Sequence, residues 1–181
     1  GKQSGNITEG IIEVIYFYNL KKANLTINKI DEEGKGLKGA SFEIKNKENE
    51  EIYNLVTDET GLATIQSPVG EIEITEIKAP DGYKIISQPI EFYVELDKEN
   101  LIKIPNEKKE GTIITHHYIL GTEEKVPSNI EGEVVEDVIQ IGKYGENYNT
   151  EKASNINSKY ELIKVGGKVN GVVSEDIIEV T

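Results

Sequence analysis

"LTINKIDEEGKGLKGASFEI" (residues 25–44) carries the pattern that decides the fold: two alternating apolar and polar runs joined by a stretch rich in glycine and charge. Alternation at a period of two marks half-buried strands, and Gly, Asp and Asn clusters mark the turns between them. Side chains alternate across a strand, so Leu25, Ile27 and Lys29 share one face while Thr26, Asn28 and Ile30 share the other. If the leucine and isoleucine face a core, so does Lys29. The same count groups Ile72, Ile74 and Glu76 in "EIEITEI" (71–77), and Ile102, Ile104 and Asn106 in "LIKIPN" (101–106). Three strands thus each send one polar side chain toward an apolar interior.

Burial disfavours charge, which favours the free amine of a lysine and the protonated form of a carboxyl group. A neutral Lys29 amine can attack the Asn106 carboxamide carbon while Glu76 polarises the carbonyl and shuttles protons, with ammonia leaving. The product is a Lys29–Asn106 isopeptide bond, formed once within one chain, so the chemistry is single-turnover maturation and not enzymatic turnover. Alternation alone leaves another reading open: Lys29 snorkels to solvent, Glu76 caps a turn and Asn106 ends a strand.

Further short alternating runs, "SFEIK", "IEFYVEL" and "LIKI", extend the strand pattern through residues 21–108, which reads as a small β-sandwich. "IPNEKKEGT" (104–112) joins a proline, a charge run and a glycine and reads as a junction. Beyond it, 111–181 opens on the strand "GTIITHHYIL" and closes on the strands "YELIKVGG" and "EDIIEV"; between them "GENYNTEKASN" (145–155) is expected to form a short helix, giving a small β-grasp-like α+β domain. The overall expectation is mainly β.

The two ends of the sequence repeat. "GKQSGNITEGIIEVI" (1–15) parallels "GKVNGVVSEDIIEVT" (167–181) at an offset of 166 residues, with Gly5 matching Gly171 and Glu9 matching Glu175. A tandem array is expected, with 1–20 as the terminal strand of a preceding unit and 111–181 lacking the end of its last strand. The expected partner of the N-terminal strand "IIEVIYFY" is the C-terminal domain of a neighbouring molecule. Tyr16, Phe17 and Tyr18 are read as finishing a sheet in preference to forming a glycan-binding strip.

Composition narrows the function. Aromatics make up 7% of residues and there is no Cys, so covalent stabilisation must come from chemistry other than disulfides. All 20 basic residues are lysine, against 33 acidic ones, for a net charge of −13. Without arginine and with that charge, nucleic acid is a poor partner. No run of about 18 apolar residues is present, so no membrane insertion is expected. Neighbouring His116 and His117 point to opposite strand faces and are not expected to share a metal. The acidic "DEEGKG" and "KENEE" stretches lack the ligand spacing of a calcium loop and are read as solvated turns. With no phosphate loop, nucleophile elbow or Cys-His pair, no cofactor is expected.

"NKIDEEGKGLKGASFEI", followed by "VTDETGLATI" and "ITEIKAPDGY" in that order, resembles the Cna B-type (collagen-adhesin B-repeat, SpaA-like) domain of Gram-positive adhesins and pilins. That resemblance implies an Ig-like, prealbumin-like sandwich over 21–108, a cross-link between Lys29 and Asn106, and Glu76 as its catalytic residue. These are the residues that alternation turned inward. Segment 111–181, through "GTIITHHY", "YGENYNTE", "YELIKVGG" and "GVVSEDIIEV", resembles a mucin-binding-protein (MucBP) repeat. Together the resemblances imply a structural stalk of a cell-wall-anchored surface adhesin, partnered by neighbouring repeats of the same protein. The alternatives are a module binding host mucin glycans or extracellular-matrix protein, and a pilin subunit.

Overall fold

The computed structural model of the chain describes residues 5, 10, 13–174 and 176–181. The Glu9–Glu175 match of the terminal repeat lies outside the described residues. Among those described there is no helix, and twelve strands form four sheets.

The first half is a sandwich. One sheet places β1 (Lys22–Ile30) between β4 (Leu62–Pro68), antiparallel, and β7 (Asn100–Pro105), parallel. The other runs in the order β3 (Ile52–Val56), β2 (Ser41–Asn46), β5 (Gly70–Lys78) and β6 (Ile90–Val94), all antiparallel. The alternation expected for 25–30 and 71–77 is present: Leu25, Ile27, Ile72 and Ile74 are buried, with Phe42, Ile44, Val94 and Ile104 packed among them. Burying each of these side chains contributes roughly 1.5–3 kcal/mol, and their convergence from both sheets fixes the strand register. A register slip of one residue would turn all of them to solvent.

The second half is smaller. β8 (Glu110–Thr115) pairs antiparallel with β9 (Val138–Lys143) and parallel with β12 (Ile177–Val180), while β10 (Asn147–Asn149) pairs with β11 (Asn170–Val172). Ile113, Tyr148 and Val173 form its buried cluster. The helix expected over 145–155 is absent. Gly145 takes a left-handed φ of 86° in the turn after β9, and Asn147–Asn149 becomes strand. That leaves only Glu151, Lys152 and Ala153 as good helix formers, too few to nucleate a turn.

One expected strand is also missing: the segment 160–166 has no strand structure and Tyr160–Val165 is exposed. The stretch is apolar, but a strand forms only where a second one satisfies its main chain. Tyr16, Phe17 and Tyr18, whose expected sheet partner is a neighbouring molecule, are exposed in the single chain, Phe17 and Tyr18 each at 90%; Ile11 and Ile12 of the same expected strand lie outside the described residues.

The junction is short. Four residues separate β7 from β8, and the loop at 82–84 closes on them: Lys84 N donates to Glu107 O and Lys109 N to Gly82 O, both at 2.8 Å. Lys143 reaches across to the Glu32 carboxylate at 2.9 Å.

Candidate functional site

Lys29, Glu76 and Asn106 meet inside the sandwich. β1 and β7 run parallel with Lys29 opposite Ile104, so Asn106, two residues beyond Ile104, continues the same inward-facing row. Asn106 N donates to Ile30 O at 2.9 Å, which holds the residue against β1 after β7 has ended. Glu76 arrives from the facing sheet. Phe42 pairs with Glu76 whereas Ser41 pairs with Lys78, so Ile77 is bulged out of the ladder immediately after the glutamate. Relative exposures are 0% for Lys29, 5% for Glu76 and 3% for Asn106, so Lys29 does not snorkel to solvent.

The polar atoms satisfy one another. Lys29 Nζ donates to Asn106 Oδ1. Asn106 Nδ2 donates to Glu76, 3.0 Å from Oε1 and 3.2 Å from Oε2. Lys29 Nζ lies 3.4 Å from Glu76 Oε1, and the Ile86 main-chain N–H donates to Oε2 at 2.8 Å. The Phe42 ring sits 5.9 Å from Nζ and closes one side. Burial pushes the Lys29 amine down to about 8, although the Glu76 charge and its hydrogen bond pull the other way. At neutral pH a usable fraction of this lysine is therefore the free amine, the form that acts as a nucleophile.

One detail differs from expectation. Sequence reasoning put Glu76 at the Asn106 carbonyl, but in the structure the carboxylate faces the amide nitrogen. The lysine is a donor and occupies the acceptor oxygen of the carboxamide, which leaves the NH2 group for the carboxylate.

The lysine's main chain is fixed on both sides: its N–H donates to Gly61 O and its carbonyl accepts from Leu37 N, each at 2.8 Å. Gly61 has φ of 81°, and a Cβ there would meet the Lys29 carbonyl oxygen and lie 2.6 Å from Leu37 N. Glycine is required, because the turn presses directly on the strand that carries the nucleophile. Sequence reasoning assigned no role to Gly61 or Ile86. The "TDETG" turn gave a signal for the first, whereas a main-chain donor such as Ile86 N–H leaves no residue-type signature.

Other candidates have structural roles. His116 Nδ1 lies 3.1 Å from Asp137, and His117 Nε2 accepts from Ala153 N at 3.0 Å, so the pair divides between two partners. Asp31 of "DEEGKG" accepts from the main-chain N–H of Glu33 and Lys35 and shapes the turn. Among the described residues no group of three His, Cys, Asp or Glu could hold a metal, and no helix is long and apolar enough to cross a membrane.

Residues 23–110 match the family model of the SpaA prealbumin-like fold domain. This domain contains the whole Lys29–Glu76–Asn106 cluster. Among solved structures, the chain is similar to the Bacillus anthracis TIE protein, with a TM-score of 0.65 and 22% identity over 88% of this chain and 33% of that one. It is also similar to BcpA, the major pilin subunit of Bacillus cereus, with a TM-score of 0.44 and 25% identity over 49% of this chain and 31% of that one. A third is GBS52, the minor pilin of Streptococcus agalactiae, with a TM-score of 0.45 and 23% identity over 50% of this chain and 46% of that one. The chain spans about a third of the length of the first two. The TIE likeness, which extends over most of the chain, establishes shared fold. No curated protein matches the chain.

Proposed function

We propose that the chain is a structural segment of a Gram-positive surface or pilus protein, and that its SpaA-type domain closes an autocatalytic isopeptide bond between Lys29 and Asn106. The observation that carries this reading is the buried triad, in which an amine, a carboxamide and a carboxyl group touch one another in a site without solvent. The neutral Lys29 Nζ attacks the Asn106 side-chain carbon. Glu76 accepts a proton from the attacking nitrogen and delivers one to Nδ2, beside which it already lies. The Nζ–carbon bond forms, the carbon–Nδ2 bond breaks, ammonia leaves, and Glu76 returns to its starting state. Holding the reactants in contact supplies the proximity that an amide acceptor, otherwise unreactive, requires.

The mechanical sense follows from topology. β1 and β7 are the first and last strands of the sandwich, so the bond would carry tension from residue 29 to residue 106 without extending the chain between them. This fits a stalk in which units follow one another, and the resemblance of 111–181 to MucBP repeats fits the same architecture. Binding of mucin glycan or host protein by 111–181 is the other reading. Among the described residues of 111–181, an open cleft lined by Tyr148, Lys168, Ser174 and Glu179 is where a ligand would be sought on that reading.

Intact-mass measurement of the purified chain tests the proposal. The expected mass is that of the sequence less one ammonia, with the full mass of the unjoined chain restored in Glu76→Ala. A wild-type mass matching the unmodified sequence overturns the reading.

A further inference from the structure

The loop between β5 and β6, residues 79–89, carries the main-chain group that holds the Glu76 carboxylate: Ile86 N donates to Oε2 at 2.8 Å. Among the described residues, two further main-chain hydrogen bonds tie this loop to the rest of the protein, and both go to the junction. Lys84 N donates to Glu107 O and Lys109 N to Gly82 O, each at 2.8 Å. The second half continues the run, because Tyr144 N, immediately after β9, donates to Lys109 O at 3.0 Å. The Tyr144 side chain packs against Gly82, where a Cβ would stand 3.5 Å from both its Cβ and its Cδ1. Its hydroxyl donates to Asp176 Oδ1 at 2.8 Å, and the Lys109 amine stands 6.0 Å from the ring. Residues 144, 109 and 82 are therefore joined in sequence, from the second half through the junction to the loop.

We infer that Tyr144 is a positioning residue for the bond proposed between Lys29 and Asn106, so that the second half of the chain sets the rate of cross-linking in the first; this rests on that reading. Asn106 leads directly into the junction, and Glu76 leads through the bulge at Ile77 into the loop. The carboxamide and the proton carrier thus both adjoin the segment that Tyr144 clamps. The loop has little packing of its own, with Ile85 52% exposed and residues 87–89 also exposed. A segment with few buried contacts opens locally at small cost unless something packs on it from outside. Once the loop lifts, the Ile86 N–H leaves Glu76, and the carboxylate loses the contact that aims it at Asn106 Nδ2. A misplacement of about 1 Å in reacting groups costs on the order of 100-fold in rate.

A mass time course of the freshly translated full chain reads the effect as ammonia lost. Tyr144→Ala should slow the loss roughly 10- to 100-fold, and Tyr144→Phe, which keeps the ring against Gly82, should restore most of it. Lys109→Pro removes the donor to Gly82 O at an exposed position, away from both cores, and should slow the loss as well. Val135→Ala removes a buried side chain beyond the far end of β8 and should leave the rate at the wild-type value. Equal slowing in Val135→Ala would make general destabilisation the cause and overturn the inference. Amide exchange in the Asn106→Ala background, where no bond can form, reads the clamp directly. There the Ile86 N–H should exchange faster with Tyr144→Ala and regain protection with Tyr144→Phe. Unchanged exchange, or ammonia loss from Tyr144→Ala at the wild-type rate, overturns the inference and leaves the cross-link standing. A wild-type chain that keeps its ammonia overturns the cross-link, and the role of Tyr144 with it.

Discussion

Replacing Glu76 by glutamine is the sharpest perturbation of the proposed chemistry. In Glu76→Gln the new side chain fills nearly the same volume and can still accept from the Ile86 N–H, but it cannot relay a proton from Lys29 Nζ to the leaving nitrogen of Asn106. The variant should fold with the two side chains adjacent and unjoined. The bond spans 77 residues of chain, and closing a loop of that length stabilises by about 4.5 kcal/mol on the chain-entropy model, through the unfolded state. For a domain of this size that corresponds to a fall in melting temperature on the order of 20 °C. Mass spectrometry reads retained ammonia, and guanidinium titration reads the stability difference. The dependence of stability on denaturant should also steepen, because the open unfolded chain exposes more surface. Asn106→Ala, also unable to cross-link, should fall by a similar amount. A Glu76→Gln chain that still loses ammonia refutes the proton-relay role. One that keeps its ammonia yet unfolds at the wild-type midpoint refutes the loop-closure account of stability.

Other consequences can be measured separately. Cross-linking in freshly translated chain should speed up between pH 6 and about pH 8 and level off above, because burial holds the Lys29 amine at about 8; a rate flat across that range would contradict a free-amine nucleophile. In the uncross-linked Asn106→Ala variant, the folded lysine binds its proton less tightly than the unfolded one, so the destabilisation is complete below about pH 8. Stability should then recover as pH rises toward the ordinary lysine value of 10.5, as followed by denaturant midpoints. Gly61→Ala forces a Cβ against the Lys29 carbonyl at a left-handed φ and should cost on the order of 2 kcal/mol or more, with slower ammonia loss in a mass time course. His117, half-buried and held below the ordinary histidine range by desolvation, accepts from Ala153 N only while neutral. The unfolded chain takes up the proton first as pH falls, so the stability of the second half should decline below about pH 6.5, and a melting curve unchanged between pH 7 and pH 5 would exclude this.

Much of the central domain was legible in the residues because a half-buried strand writes its environment into a period of two. Leu25, Ile27 and Lys29, then Ile72, Ile74 and Glu76, then Ile102, Ile104 and Asn106 could be turned inward from the sequence alone, and the structure buries all of them except Ile102, which is partly buried against the same core. What the sequence could not give was which strands adjoin. That β1 lies parallel to β7, bringing residue 106 beside residue 29, and that the bulge at Ile77 follows the glutamate, are properties of pairing across long loops. The orientation of the Asn106 carboxamide, with its nitrogen toward Glu76, likewise follows from which group the lysine reaches first. The second domain was read less well for the same reason. "YELIKVGG" has the composition of a strand and "GENYNTEKASN" some of the residues of a helix, but composition sets only a propensity. Whether a segment becomes a strand depends on a partner for its main chain, and that partner is decided in three dimensions: Asn147–Asn149 finds one in Asn170–Val172, while Leu162–Val165 finds none among the described residues.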